Sequence, residues 1–146
     1  MNNLNHYYGL YQQRAKELAA QIEKAIDGEF AAIHCYKKLE TLAPTKRERQ
    51  IISEIRKDEI NHYNVFSSIY TQLTGQKHSA VITETCPNNY HSGIDFAFHD
   101  EQETVDFYLT IADSTSNDFI KESFKRAAMD EQNHAVWFLY FLKTQR

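Results

Sequence analysis

The sequence is poor in the residues that interrupt helices. Only four of its 146 residues are glycine and two are proline. Glycine destabilises a helix interior through its backbone entropy, and proline does so because it lacks an N–H group and clashes with the preceding turn. Their scarcity leaves few points at which a helix must end.

Cysteine is equally scarce, since Cys35 and Cys86 are the only two. They form no Cys-x-x-Cys pair, which excludes a rubredoxin-type iron site and a zinc ribbon within these residues. A disulfide between the two remains open. A reducing compartment favours free thiols, however, and free thiols are what we expect.

Charge and hydropathy argue against two kinds of partner. The formal net charge is −4 at pH 7 without a basic stripe, so no nucleic acid is expected. The longest apolar run, residues 135–142, has eight residues and is too short to span a membrane. Residues 1–6 lack the layout of a signal peptide, so we expect a single cytoplasmic domain over residues 1–146.

A short motif occurs twice. Residues 58–62 read Asp-Glu-Ile-Asn-His, and residues 130–134, which lie 72 positions later, read Asp-Glu-Gln-Asn-His. Each copy contains Glu-x-x-His, and residues three apart on a helix share one face, so the carboxylate and the imidazole can reach one metal ion. The same offset relates Glu29 to Glu101, which indicates two degenerate copies of one helical unit.

The spacing within each copy predicts a helical hairpin. Glu29 and Glu59 lie equally far from Pro44, and Glu101 and Glu131 are centred on a second turn-forming stretch. In an antiparallel helix pair, residues equidistant from the turn stand at the same height, here roughly 22 Å from it. Two packed hairpins would therefore bring four glutamates and two histidines to one level.

Apolar periodicity gives the bounds of the expected helices. They lie at about residues 7–42, 45–73, 92–113 and 117–143, with a crossover loop at about 74–91. Among the capping signals, Thr45 and Gly75 flank the second helix. Ser92 with Asp95 is expected to cap the third helix and Asn117 or Ser116 the fourth.

Several of the repeated glutamates lie on apolar helix faces. Glu29 is followed at helical spacing by Ala32, Ile33 and Tyr36. Burial of four unpaired carboxylates would be prohibitive, whereas two divalent cations would balance their charge. Oxygen-rich ligation with one imidazole per ion favours iron or manganese over zinc or copper, and it does not distinguish iron from manganese.

The six residues in this register resemble the ligand set of the ferritin-like di-iron carboxylate superfamily, which is one Glu from each of two helices and Glu-x-x-His from each of the other two. They are Glu29, Glu59, His62, Glu101, Glu131 and His134. Gly28-Glu29 followed by Tyr36 is similar to the rubrerythrin (erythrin) branch, here without a rubredoxin domain. The resemblance implies an all-α, ferritin-like antiparallel four-helix bundle made of two pseudo-repeated hairpins.

The resemblance also implies a role for each ligand. Glu59 and Glu131 would bridge two ions, Glu29 and Glu101 would be terminal ligands, and each histidine would bind one ion.

Four further residues have expected roles around the ligands. By the same resemblance, Tyr36 and Tyr108 would each donate a hydrogen bond to the terminal glutamate of the other hairpin. An ordinary core tyrosine is the alternative. Asp58 and Asp130 are candidates for holding the imidazoles in one tautomer, with solvent exposure as the alternative.

The implied chemistry is redox reaction of non-haem iron with peroxide or oxygen. Peroxide removal under oxidative stress is the expected purpose, with an external electron donor and a homodimeric assembly. Alternatives are a ferroxidase or iron-storage shell of ferritin or bacterioferritin type, a substrate-oxidising enzyme, and a helical interaction protein with idle metals.

The sequence departs from the rubrerythrin pattern at one position. Rubrerythrins carry a further glutamate three residues after the third-helix ligand, where this chain has Thr104. Glu103 lies only two residues after Glu101 and is expected to point elsewhere. The departure weakens the expectation of a full peroxide-reducing mechanism in which the ligation of the ions changes with redox state.

Overall fold

In the computed structural model, which describes residues 2–144, the chain forms four helices and the described residues contain no strand. The helices are α1 (Asn2–Leu42), α2 (Lys46–Thr74), α3 (Tyr90–Ser114) and α4 (Asp118–Thr144). The predicted all-α class and four-helix ferritin-like bundle are confirmed. The predicted domain, residues 1–146, also includes Met1, Gln145 and Arg146, which lie outside the described residues. Within residues 2–144, no helix has the length and apolarity needed to cross a membrane.

The start of α1 differs most from its prediction, because the helix begins at Asn2 rather than near residue 7. Residues 3–17 are exposed, so no buried apolar pattern marks them. The other helix ends lie within two residues of the predicted bounds. Thr45 caps α2 as predicted, with its side chain accepting a hydrogen bond from the Glu48 N–H. Gly75 ends that helix in the left-handed conformation at φ 72°.

Ser92 does not cap α3, which corrects the prediction. The cap is Asn89, whose Oδ1 accepts a hydrogen bond from the Ser92 N–H at 2.9 Å. Asn at an N-cap competes well with Ser because its side-chain oxygen reaches the same N–H group. In α4 the predicted cap is present, since Asn117 Oδ1 accepts from the Ile120 N–H at 3.0 Å.

The helices pack as two hairpins. α1 packs mainly on α2 and α3 mainly on α4, while α1 also contacts α3 and α2 also contacts α4. α1 and α3 run antiparallel, since Tyr36 bonds to Glu101 and the more N-terminal Glu29 bonds to Tyr108. At the far end α3 approaches α1 so closely that a Cβ on Gly93 would overlap with the Leu39 side chain.

The crossover, residues 75–89, runs alongside α1 and parallel to it. Near its start, the His78 ring nitrogen Nε2 lies 2.8 Å from Asp27 Oδ1. Near its end, Lys38 Nζ donates to Asn88 Oδ1 at 2.5 Å. The segment therefore returns the chain along the length of the bundle, as the predicted order of the helices requires.

The prediction of free thiols was wrong. A disulfide joins Cys35 on α1 to Cys86 on the crossover. The path of the crossover brings their Cα atoms to 5.3 Å, within the usual range for a disulfide. The prediction failed because it rested on compartment alone, and the 51-residue separation gives no sign of this proximity.

The buried core is divided by the six candidate ligands. One apolar cluster contains Ile22, Phe66 and Phe124, and the other contains Leu39 and Phe138. On every helix the ligand positions fall between residues of the two clusters. The bundle thus holds a polar layer between two apolar layers, which close it off above and below.

Candidate metal centre

All six predicted ligands converge in this polar layer, and each is at most 4% exposed. They form two groups of four, within each of which one ligand atom per residue lies within 4.8 Å of the others. The first group is Glu29, Glu59, His62 and Glu131, and the second is Glu59, Glu101, Glu131 and His134. Glu59 and Glu131 belong to both groups. Each group offers three carboxylates and one imidazole, and the shared pair occupies the position expected of bridging ligands.

The histidines direct their Nδ1 atoms toward the carboxylates. His62 Nδ1 lies 3.1 Å from Glu131 Oε1 and 3.3 Å from Glu29 Oε1. His134 Nδ1 lies 3.1 Å from Glu59 Oε1 and 3.5 Å from Glu101 Oε2. Nδ1 is therefore the ring nitrogen that could ligate a metal in each case.

Every candidate ligand also has one buried polar atom that makes no well-formed hydrogen bond, even where a facing atom lies within 3.5 Å. Among the described residues, eight buried side-chain atoms are in this state, and six belong to this set. They are Glu29 Oε2, Glu59 Oε1, His62 Nδ1, Glu101 Oε2, Glu131 Oε1 and His134 Nδ1. An unsatisfied buried polar atom costs about 1–3 kcal/mol, and more if charged. Six of them converging on one space fit the binding of cations.

The aspartates hold the histidines across the two hairpins. His62 Nε2 lies 3.0 Å from Asp130 Oδ2, and His134 Nε2 lies 2.9 Å from Asp58 Oδ2. Each aspartate thus contacts the histidine of the other repeat rather than the one four residues along its own helix. With a proton on Nε2 donated to the aspartate, Nδ1 is left free to ligate a metal.

The two tyrosines hold the outer glutamates in the same reciprocal way. Tyr36 Oη donates to Glu101 Oε1, and Tyr108 Oη donates to Glu29 Oε1. Burial, and then the nearby carboxylates, raise the pKa of both phenols well above the ordinary value. The phenols therefore stay protonated as donors. They fix one oxygen of each glutamate and leave the other, Oε2, without a partner.

Without cations the centre retains protons. Burial, together with the neighbouring carboxylates, raises the pKa of Glu59 and of Glu131. Burial alone would lower the pKa of His134, but the Glu101 and Glu59 carboxylates outweigh it and raise this pKa to about 11. Protons thus replace the missing positive charge in the metal-free protein.

A cleft between α1 and α3, beside the crossover, opens onto the centre. Its volume is about 850 Å³, and Glu29, Glu59 and Glu131 lie in its wall. Phe96 and Phe107 contribute apolar surface to the same cleft. The cleft therefore reaches the side of the centre, where these three ligands are at most 2% exposed.

Sequence analysis missed Asp100, which also lines this cleft. Burial first, and then the carboxylates of Glu101, Glu84 and Glu103, raise the pKa of Asp100 to about 7. Its only sequence signal is its position next to Glu101. Thr104, at the position of the further rubrerythrin glutamate, donates a hydrogen bond to the Asp100 carbonyl oxygen.

Glu103 is exposed and belongs to neither group of ligand atoms, although it reaches the wall of the cleft. Glu103 therefore does not stand in for the glutamate that Thr104 replaces.

The rubrerythrin family model matches residues 21–139, a segment that includes all six candidate ligands. The chain belongs to the rubrerythrin family. It is 55% identical over 125 residues to the uncharacterized protein YhjR of Bacillus subtilis (strain 168), covering 86% of each chain.

A solved structure, a hypothetical protein from Pyrococcus furiosus, aligns with a TM-score of 0.76 at 18% identity, covering 86% of this chain and 88% of that one. At that identity, the likeness supports the fold alone. Membership of the family and the buried Glu/His clusters are both compatible with a di-metal centre.

Glu59→Ala combined with Glu131→Ala should abolish metal binding, because both groups of ligand atoms lose two of their four members. We expect about two ions per chain in the wild type and essentially none in the double variant, by elemental analysis after anaerobic Fe(II) loading. Tyr36→Phe should retain both ions, since it removes a hydrogen bond and no ligand. Retained metal in the double variant would contradict the assignment of these residues.

Asp130→Asn should weaken metal binding by about 10- to 100-fold, because an amide orients and polarises the His62 imidazole less well than a carboxylate. Competition with a chelator of known affinity measures the change. Asp106→Asn is the matched control, since Asp106 is exposed on α3. Equal affinities for the two variants would show that the contact with His62 is unimportant.

Metal binding at pH 7 should release protons. The raised pKa of His134, about 11, means that the metal-free imidazole holds a proton there, which a cation must displace. The apparent metal affinity should therefore rise with pH. Calorimetric titrations in two buffers of different ionisation enthalpy should give at least about one proton per chain. A heat independent of the buffer would contradict the prediction.

Proposed function

We propose that this protein binds two iron ions, with manganese as the alternative, and reduces peroxide with electrons from an external donor. The observation that carries the proposal is the pair of buried groups, each with three carboxylates and one imidazole, that share Glu59 and Glu131. Ferrous ions bound there would polarise the O–O bond and supply one electron each. Rubrerythrin family membership favours this chemistry over that of an inert bundle.

The residues of the chain have separable tasks in this proposal. The four glutamates and two histidines hold the ions. Tyr36 and Tyr108 keep the outer glutamates oriented, each by donating a hydrogen bond to one carboxylate oxygen. The apolar layers above and below the centre separate it from solvent at the two ends of the bundle. Peroxide, which is small and uncharged, would reach the ions through the cleft.

The cleft favours a second candidate function, oxidation of an organic substrate. A volume of about 850 Å³ exceeds what peroxide or oxygen requires and falls in the range of small-molecule sites. Reproducible binding of organic fragments next to Glu29 in a crystallographic screen would support this candidate. An oxygen uptake that depends on the bound compound would then establish the activity.

A ferroxidase that stores iron as ferritin or bacterioferritin does would assemble into a large shell. We propose a cytoplasmic homodimer instead. Exposed apolar side chains on α4, among them Met129, Val136 and Tyr140, provide a surface that a second copy could cover. Light scattering distinguishes a homodimer from a ferritin-like shell, since a shell has many times the mass of a dimer.

Anaerobic, Fe(II)-loaded protein should consume about one hydrogen peroxide per two ions, because each ion gives up one electron. Stopped-flow absorbance and an assay of residual peroxide measure the stoichiometry. The control is the variant with Glu59→Ala and Glu131→Ala, mixed with the same amount of Fe(II). Equal rates of peroxide loss in the two samples would mean that only unbound iron reacts, and the proposal would fail.

A further inference from the structure

Both cysteines of the chain lie on the wall of the cleft that opens onto the metal centre. Cys35 and Cys86 line it together with Glu29, Glu59 and Glu131. Cys35 follows Glu29 by six residues, which places it about 9 Å farther along the helix axis. The next residue, Tyr36, donates its hydrogen bond to the candidate ligand Glu101. The cysteine pair and three of the candidate ligands thus face the same cleft, and Cys35 and Glu29 lie less than two helical turns apart along α1.

The surroundings of the disulfide would keep the two sulfur atoms near each other after reduction. Lys38 Nζ donates to the Cys86 carbonyl oxygen at 3.4 Å and to Asn88 Oδ1 at 2.5 Å. Asp27 binds the earlier part of the crossover through His78 and the Val81 N–H. These contacts do not involve sulfur, so an open thiol pair stays positioned to close again, at a high effective concentration.

We propose that Cys35 and Cys86 form a redox pair that returns electrons to the oxidised metal centre. The inference rests on the proposed function, because it supplies the electrons that peroxide reduction consumes. Two S–H bonds break and one S–S bond forms, while two Fe(III) ions become Fe(II) and two protons leave through the cleft. The balance is 2 RSH + 2 Fe(III) → RSSR + 2 Fe(II) + 2 H⁺, and the disulfide described above is the spent form.

An external dithiol regenerates the pair by thiol–disulfide exchange. Cys86 is the more exposed of the two residues, while Cys35 is 5% exposed. The incoming thiolate therefore attacks the Cys86 sulfur and displaces the Cys35 thiolate. A second thiolate of the donor then resolves the mixed disulfide. The external donor of the proposed function is accordingly a dithiol.

The test leaves peroxide out, so that it examines only the thiol step. Wild-type protein is reduced, freed of reductant under anaerobic conditions, and given two equivalents of ferric citrate per chain with a colorimetric Fe(II) trap added at the end. Thiols are counted by alkylation and mass spectrometry. We expect both thiols to be lost and about two Fe(II) to form per chain.

Two matched variants locate the reaction. Cys35→Ser with Cys86→Ser should form no Fe(II) above the buffer blank. Glu59→Gln with Glu131→Gln keeps both thiols and nearly the same side-chain shapes but loses the shared ligands, so its thiols should react at least about tenfold more slowly. Thiols that persist in the wild type would overturn the proposal, as would equal rates of thiol loss in the glutamine variant.

A separate peroxide assay distinguishes failure of the inference from failure of the proposed function. Peroxide consumption by the Fe(II)-loaded wild type, together with thiols that Fe(III) leaves intact, would overturn the redox pair and preserve the function. Thiol oxidation by Fe(III) without peroxide consumption would support the redox pair and contradict the function.

Discussion

The structure depends on the burial of four carboxylates and two imidazoles in the middle of a small helical bundle. Such groups are costly to remove from water, and the cost is tolerable only if their charges are balanced. The bundle encloses them between two apolar layers and directs one free atom of each toward a shared space. Tyrosines bind the two outer glutamates, and aspartates bind the two histidines. Nearly every unusual feature of the core serves this one layer.

Much of the layer could be predicted from the sequence because helices have a fixed repeat. Glu-x-x-His occurs in two copies, and in each copy another glutamate lies equally far from the turn. Once an antiparallel hairpin is assumed, these positions determine the height of the ligands in the bundle and the helix face on which they lie. The contacts of Tyr36 and Tyr108 with glutamates of the opposite hairpin are present as the family resemblance implied. These contacts follow from the positions of the residues along their helices, and the geometry of a helix varies little.

The remaining features depend on the crossover, which has no periodicity. Its path decides that Cys86 meets Cys35 and where the wall of the cleft lies. The partial burial of Asp100 in the cleft likewise depends on how α3 packs beside α1, which a helical wheel does not give. Asp58 and Asp130 each contact the histidine of the other repeat. This pairing could have been predicted only from the relative placement of the two hairpins. The periodicity of the sequence predicted the helices, whereas the packing of the crossover and of the two hairpins determined where the cleft lies beside the site.

Each hydrogen bond that orients a candidate ligand joins one repeat to the other: tyrosine to glutamate in both directions, and aspartate to histidine in both directions. Each group of four ligand atoms likewise draws on both hairpins. A single hairpin is therefore only half of a site, and two copies of it would together carry the whole set. The duplicated sequence has the organisation of a symmetric pair of hairpins fused into one chain, with the crossover as the joining segment. Metal binding at these residues would then require that the two halves of the chain have already packed together.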